Sequence, residues 1–151
     1  MGTQAVVDVD AHYADHFAEL VEYIPEDDPA RKNFESFLPI EASDSTTALW
    51  PKLSGGNTPE GLKRAGEVSP MGAETREDIL RVMDDLDIDK SIQLSSHMLT
   101  YGMIDTDDRR QTVYANAYTD YVLDNVVDPD AGITMMVPAP YNDPNEAAEL
   151  I

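Results

Sequence analysis

Three short apolar runs constrain the fold of this chain more than any other feature. They cover residues 5–9, 91–94 and 133–137, and segments of helical periodicity separate the later two. Runs this short and this rich in β-branched residues predict buried strands. Thr75-Arg76-Glu77-Asp78 resembles a capping box with Asp in place of Glu. Ile79, Leu80, Met83 and Leu86 follow it at helical spacing. A longer helix is predicted over 107–126. Val113, Ala117 and Tyr121 form one of its rows, and Tyr114, Tyr118 and Val122 the next. Both rows suit core packing. Asp128-Pro129-Asp130-Ala131-Gly132 is a turn before the third strand. Asp143-Pro144-Asn145-Glu146 then opens another helix, with an N-cap acid and proline at the first helical position. Strands alternating with helices predict an α/β fold built of parallel β-α-β units.

Residues 10–70 interrupt this alternation. They hold most of the prolines and the pair Gly55-Gly56. A short helix is expected over 15–23, with Phe17, Leu20, Val21 and Ile24 on its apolar side. The remainder, Trp50 included, is expected to be a long irregular insertion after strand 1. Connections of that length are commonly functional or disordered. Three parallel strands make a poor finished sheet, and the last helix breaks off in its second turn without a C-cap signal. The expectation is that residues 1–151 form part of a larger domain, truncated at the C-terminus.

Charge narrows the function. The 151 residues carry 30 acids against 10 bases, a formal net charge of −20. That balance repels phosphate backbones and anionic membranes, so nucleic acid is not an expected partner. The acids are spread along the chain, which describes an acidic surface rather than an acidic tail. At about 1 M salt the Debye length falls to about 3 Å, and repulsion between such carboxylates is screened. The composition points to an extreme halophile. Cysteine is absent, so any metal must be held by His, Asp, Glu or backbone oxygen. No run reaches the roughly 20 apolar residues of a membrane span, and no secretory signal pattern is visible. The cytoplasm is the expected location.

The first strand ends in chemistry. In Val6-Val7-Asp8-Val9-Asp10-Ala11-His12-Tyr13, Asp10 and His12 stand two apart. Strand residues at that spacing share a face. An oxygen and an imidazole nitrogen can therefore aim at one point beyond the strand's C-terminal end, where parallel α/β folds place their sites. The pair suits a divalent metal such as zinc. Asp8 is assigned as a hydrogen-bonded acid beside the core. His12 and His16 have the spacing of a helical zinc pair. With His12 at a strand end, His16 is assigned to the surface instead. His97 follows the second strand on the same side and is a candidate substrate contact, weighed against a solvated loop histidine. Trp50 is a second candidate for lining a substrate pocket, weighed against a local hydrophobic anchor.

Four stretches bring a family to mind: VVDVDAHY, ILRVMDDLDIDKSIQL, YANAYTDYVLDNV and GITMMVPAPYNDPNEAAEL. In this order and spacing they resemble the N-terminal part of amidohydrolase-related proteins. The branch concerned includes aminocarboxymuconate-semialdehyde and resorcylate decarboxylases. The likeness runs from about residue 5 onward, with residues 24–70 poorly matched. It implies the first three βα units of a (β/α)₈ barrel, a fold of about 250 residues. It further implies a metal centre with two ligands from strand 1, carried here by Asp10 and His12. Many members have His-x-His or Glu-x-His where this chain has Asp-x-His. The family's later ligands, on strands 5, 6 and 8, have no counterpart in this sequence. The implied cofactor is a divalent metal, zinc first, and the implied substrate is a small molecule. In complete relatives such a metal lowers the pKa of bound water to ~7 for hydrolysis, or orients a substrate carboxylate or phenolate for decarboxylation. A chain with half the ligand set is expected to be inactive alone.

Two other readings compete. A strand ending in Asp8-Val9-Asp10 also resembles the opening of haloacid-dehalogenase-type phosphotransferases, with Mg²⁺ between the acids. Alternatively, the chain is a non-catalytic split module that completes its barrel with another polypeptide or a second copy, through exposed edge strands. For the charge argument, the expected outcome is a Tm that rises steadily from low salt to molar salt, measured by circular dichroism. A Tm that falls or stays flat would refute a surface adapted to high salt.

Overall fold

The computed structural model describes residues 4–36, 73–96, 98 and 107–150. It is a mixed α/β structure around a small parallel sheet. Strands β1 (Val7–Tyr13), β2 (Lys90–Ser95) and β3 (Ile133–Met135) lie in the order β1-β2-β3. Helix α1 (Phe17–Leu20) continues into a 3₁₀ turn (Val21–Tyr23), and α2 (Pro29–Glu35) follows. Helix α3 (Arg76–Asp85) precedes β2, α4 (Asp108–Asn125) links β2 to β3, and α5 (Pro144–Leu150) follows β3. The predicted alternation of parallel strands and helices is therefore present. Among the described residues no helix is long and apolar enough to cross a membrane.

The first strand differs from expectation. It starts later than residue 5 and extends through Asp10 and His12 to Tyr13. It is also not a buried strand over Val6–Val9, because Val7 is 48% and Val9 62% exposed. The physical reason is one-sided packing. Asp8 pairs with Ser91 and Ala11 with Gln93, so three steps of β1 match two of β2. This is a bulge, and the Asp8 carboxylate stabilises it by accepting the Asp10 N–H at 3.0 Å. Tyr13, Ser91, Gln93, Ser95 and Ile133 are buried on one side of the sheet. On the other side Val7, Val9, Thr134 and Met136 are exposed, and Ile92 and Leu94 are half-buried.

Local chemistry explains the helices. The Thr75 hydroxyl accepts the Asp78 N–H at 3.1 Å and donates to the Asp78 carboxylate at 2.9 Å. Asp is one methylene shorter than the Glu of a capping box, and here it reaches the hydroxyl. Ile79 and Met83 are buried as the periodicity predicts, whereas Leu80 and Leu86 are exposed. Helix α3 ends with Asp87 in the left-handed region at φ 54°. The Ile88 N–H then returns to the Met83 carbonyl at 2.8 Å, a Schellman closure without glycine. The long helix lies where predicted, capped by Asp107, which accepts the Arg110 N–H at 2.9 Å. Asp143 likewise caps α5, accepting from Asn145 and Glu146.

The segment 15–36 corrects the sequence reading twice. Asp15 lies outside the helix, which covers only Phe17–Leu20 before tightening to 3₁₀. Residues 29–35, expected to be loop, form α2. Its Asp28-Pro29 start is the same N-cap acid and first-turn proline that marks α5. Phe17, Leu20, Val21 and Ile24 are buried as expected. Phe17 meets Phe34 edge-on at 5.2 Å, and Phe34 meets Tyr114 at 5.1 Å, so α1, α2 and α4 share one aromatic core. Arg109 forks onto Asp28 at 2.6 and 3.0 Å, and those hydrogen bonds hold the Asp28 carboxyl below the usual carboxylate range. Arg76 donates to the carbonyls of Asp124, Val126 and Val127, closing the C-terminal end of α4.

Gly132 is required twice over. Its φ is +80°, and a Cβ there would lie 2.6 Å from the Asp89 carbonyl oxygen. Gly132→Ala is therefore expected to destabilise the fold by about 2 kcal/mol. Urea unfolding checks this, and a loss below the few tenths typical of a surface change would contradict the close approach.

Candidate metal centre

Asp10 lies in the bulge at the middle of β1, and His12 stands one residue before its C-terminal end. The two side chains converge, with His12 Nε2 4.0 Å from Asp10 Oδ1. Two ligands of a tetrahedral zinc would stand about 3.4 Å apart. Asp10 is 82% exposed in its side chain, so a small rotation closes the difference. The other ring nitrogen, Nδ1, lies 3.4 Å from Ser96 Oγ, just past the end of β2. A proton on Nδ1 directed at Ser96 leaves Nε2 as the outward-facing electron pair. Ser96 was not identified from the sequence. Its signal would have been its place one residue after a predicted strand, beside the end of β1.

This donor set fits half a metal site. One imidazole and one carboxylate match the chemistry of zinc, but two protein ligands leave a tetrahedral ion half-coordinated. Among the described residues no group of three or more His, Asp or Glu could hold an ion. Asp8 is engaged at the bulge, as a hydrogen-bonded acid was expected to be. His16 is half-buried, and its Nε2 donates to the Glu74 carbonyl at 3.0 Å. It ties the start of α1 to the segment before α3 and is not paired with His12. The substrate candidates His97 and Trp50 lie outside the described residues.

Directly behind the candidate ligands is a polar core that the sequence did not announce. Asp15 is 1% exposed. Its carboxylate accepts from the Tyr118 hydroxyl on one oxygen and from the Ser95 hydroxyl on the other. Ser95 Oγ in turn accepts the Met98 N–H at 2.6 Å. Beside them the hydroxyls of Tyr13 and Tyr121 share a hydrogen bond of 2.9 Å. Thus the loop after β1, the end of β2 and the middle of α4 meet around one carboxylate. Burial pushes the Tyr118 hydroxyl pKa well up, and the neighbouring Asp15 adds to the effect. Burial also raises Tyr13, helped by its bond to Tyr121, and raises Tyr121.

No protein-family model matches the chain, and no curated protein matches it.

The tyrosines give a pH prediction. Their folded pKa values lie above the unfolded value of about 10. Their contribution to stability is complete below pH ~10 and is lost as pH rises beyond it, because only the unfolded chain then releases the protons. Tyrosinate absorbance near 295 nm should therefore appear for these residues together with loss of helical ellipticity. Gradual ionisation of all tyrosines without unfolding would contradict the buried arrangement.

Proposed function

We propose that Asp10 and His12 are strand 1 ligands of a divalent metal, most simply zinc. On this reading the chain is the N-terminal part of an amidohydrolase-related (β/α)₈ barrel acting on a small-molecule substrate. The observation that carries the proposal is the convergence of an imidazole nitrogen and a carboxylate oxygen, 4.0 Å apart, in the C-terminal half of a parallel strand. The C-terminal ends of strands are where barrels of this kind place their chemistry. Bound there, the metal would supply Lewis acidity for hydrolysis, or an anchor for a substrate oxyanion in decarboxylation. His12 holds its Nε2 lone pair outward through the Ser96 contact, and Asp10 contributes negative charge. The same reading places the protein in the cytoplasm of a cell with high internal salt.

A second observation supports the incomplete-barrel part of the reading. The sheet buries polar Ser91, Gln93 and Ser95 towards the helices. Apolar Val7, Val9 and Met136 stand on the open side, roughly half or more exposed. Apolar side chains on a bare sheet face suit a barrel interior, where layers from opposite strands fill the space. The remaining ligands and the cover for this face would then come from further βα units, of the same protein or of a complementing polypeptide.

Cobalt titration tests the metal assignment. Co²⁺ is expected to broaden the His12 imidazole resonances before those of His16, to bind weakly, and to lose that selectivity in Asp10→Asn. A stoichiometric ion that survives gel filtration of the isolated chain would overturn the half-site. Equal broadening of all histidines would overturn the ligand assignment. Phosphatase activity abolished by Asp8→Asn would favour the Asp-x-Asp phosphotransferase instead.

A further inference from the structure

The helix-covered side of the sheet holds a feature that the metal reading does not use. Between α3 and strands β1 and β2 lies a half-open cavity of about 240 Å³. For scale, an apolar cavity of roughly 150 Å³ accommodates benzene. One wall is hydrocarbon: Ile79, Val82 and Met83 from α3, with Ile88 beside them. The opposite wall is the sheet, with the polar side chains of Asp8, His12, Ser91 and Gln93 and the Ala11 methyl.

That polar wall is rich in acceptors. Asp8 Oδ1 takes the Asp10 N–H, and Asp8 Oδ2 takes no hydrogen bond among the described residues. Gln93 is 2% exposed, and its Nε2 donates to Ser91 Oγ at 2.7 Å. Its Oε1 is buried without a partner among the described residues. A buried acceptor left unmade is costly, and native structures seldom keep one without reason. No lysine or arginine lines the cavity, and the one basic side chain there, His12, has its Nδ1 at Ser96. A ligand that suits this wall must bring donors, and the net charge of −20 favours one that is positive. Water alone could serve the acceptors but would leave the hydrocarbon wall unmatched.

We propose that this cavity binds a small organic ammonium ion, a primary amine on a compact apolar body. The ammonium sits against Asp8 and draws the Gln93 amide oxygen onto it through a small side-chain adjustment. The body packs on Ile79, Val82 and Met83. Binding of this kind needs no metal, but His12 lines the same cavity, so the chelator in the test below keeps metal binding at His12 apart from ammonium binding at Asp8.

The test uses the whole chain in high salt with a chelator present, followed by ¹³C-methyl resonances of Ile79, Met83 and Ile88. The probes are benzylammonium, benzyl alcohol and benzoate. Benzylammonium is expected to give saturable shifts, benzyl alcohol to bind about tenfold more weakly, and benzoate not to bind. Asp8→Asn should bring benzylammonium down to the level of the alcohol. Val82→Phe, which fills the cavity from a half-buried position, should abolish both without loss of helical signal. The proposal is overturned by absent or unsaturable shifts, by equal binding of ammonium and alcohol, by benzoate binding, or by binding that survives Val82→Phe. Should Asp8→Asn fail to fold, the probe series and Val82→Phe decide between these outcomes.

Discussion

The Asp15 carboxylate, held by the hydroxyls of Tyr118 and Ser95, is the interaction on which the rest of this structure depends. It is nearly fully buried, and each oxygen has a hydroxyl donor. Removing one partner of a buried charge typically costs about 3–5 kcal/mol, because the charge is left without compensation. Those two bonds join segments far apart in sequence: the loop after β1, the end of β2 and the middle of α4. Ser95 and Tyr118 also sit beside Ser96 and Tyr121, which contact His12 and Tyr13. His12 therefore rests through Ser96 on the segment that this polar core anchors, while Asp10 stands in solvent. An acidic surface can tolerate repulsion when salt screens it, but a buried acid cannot be screened and needs donors of its own.

The sheet inverts the usual division between faces. Its helix-covered side carries serines, a glutamine and an aspartate, while valines and a methionine face outward. The serines and the glutamine are partly satisfied among themselves, through Gln93 to Ser91 and Ser95 to Asp15. This inversion has two consequences. The outer face keeps Val7, Val9 and Met136 roughly half or more exposed. The inner face meets α3 imperfectly, which leaves the cavity above Asp8 and Gln93. One cause, polar residues placed inward on β2, thus lies behind both the exposed apolar face and the cavity.

Much of the fold was legible in particular residues. Thr75 and Asp143 announced two helix starts, and the residue rows of α4 announced the helix and its buried side. Those signals are local: a cap or a periodicity needs only a few neighbouring residues. The same logic would have found α2 from Asp28-Pro29, but the surrounding proline-rich stretch obscured it. Of the candidate site, Asp10 and His12 were legible because strand alternation is also local. Ser96 and Asp15 were not. A serine after a strand and an acid before a helix look like ordinary surface residues until the chain brings them to partners about eighty and a hundred residues away.

The sequence by itself determined the α/β alternation, the acidic surface and the placement of an Asp-x-His pair on the first strand. Each follows from periodicity, composition or capping chemistry within one short window. Only the tertiary structure decided which side of the sheet is covered, where β1 bulges and which acid is buried. A strand's two faces are equivalent until something packs on one of them. A carboxylate is a surface charge until distant hydroxyls make its burial tolerable. Asp10 and Asp15 show the difference: they are five residues apart, yet one faces solvent beside His12 and the other is enclosed by α4 and β2.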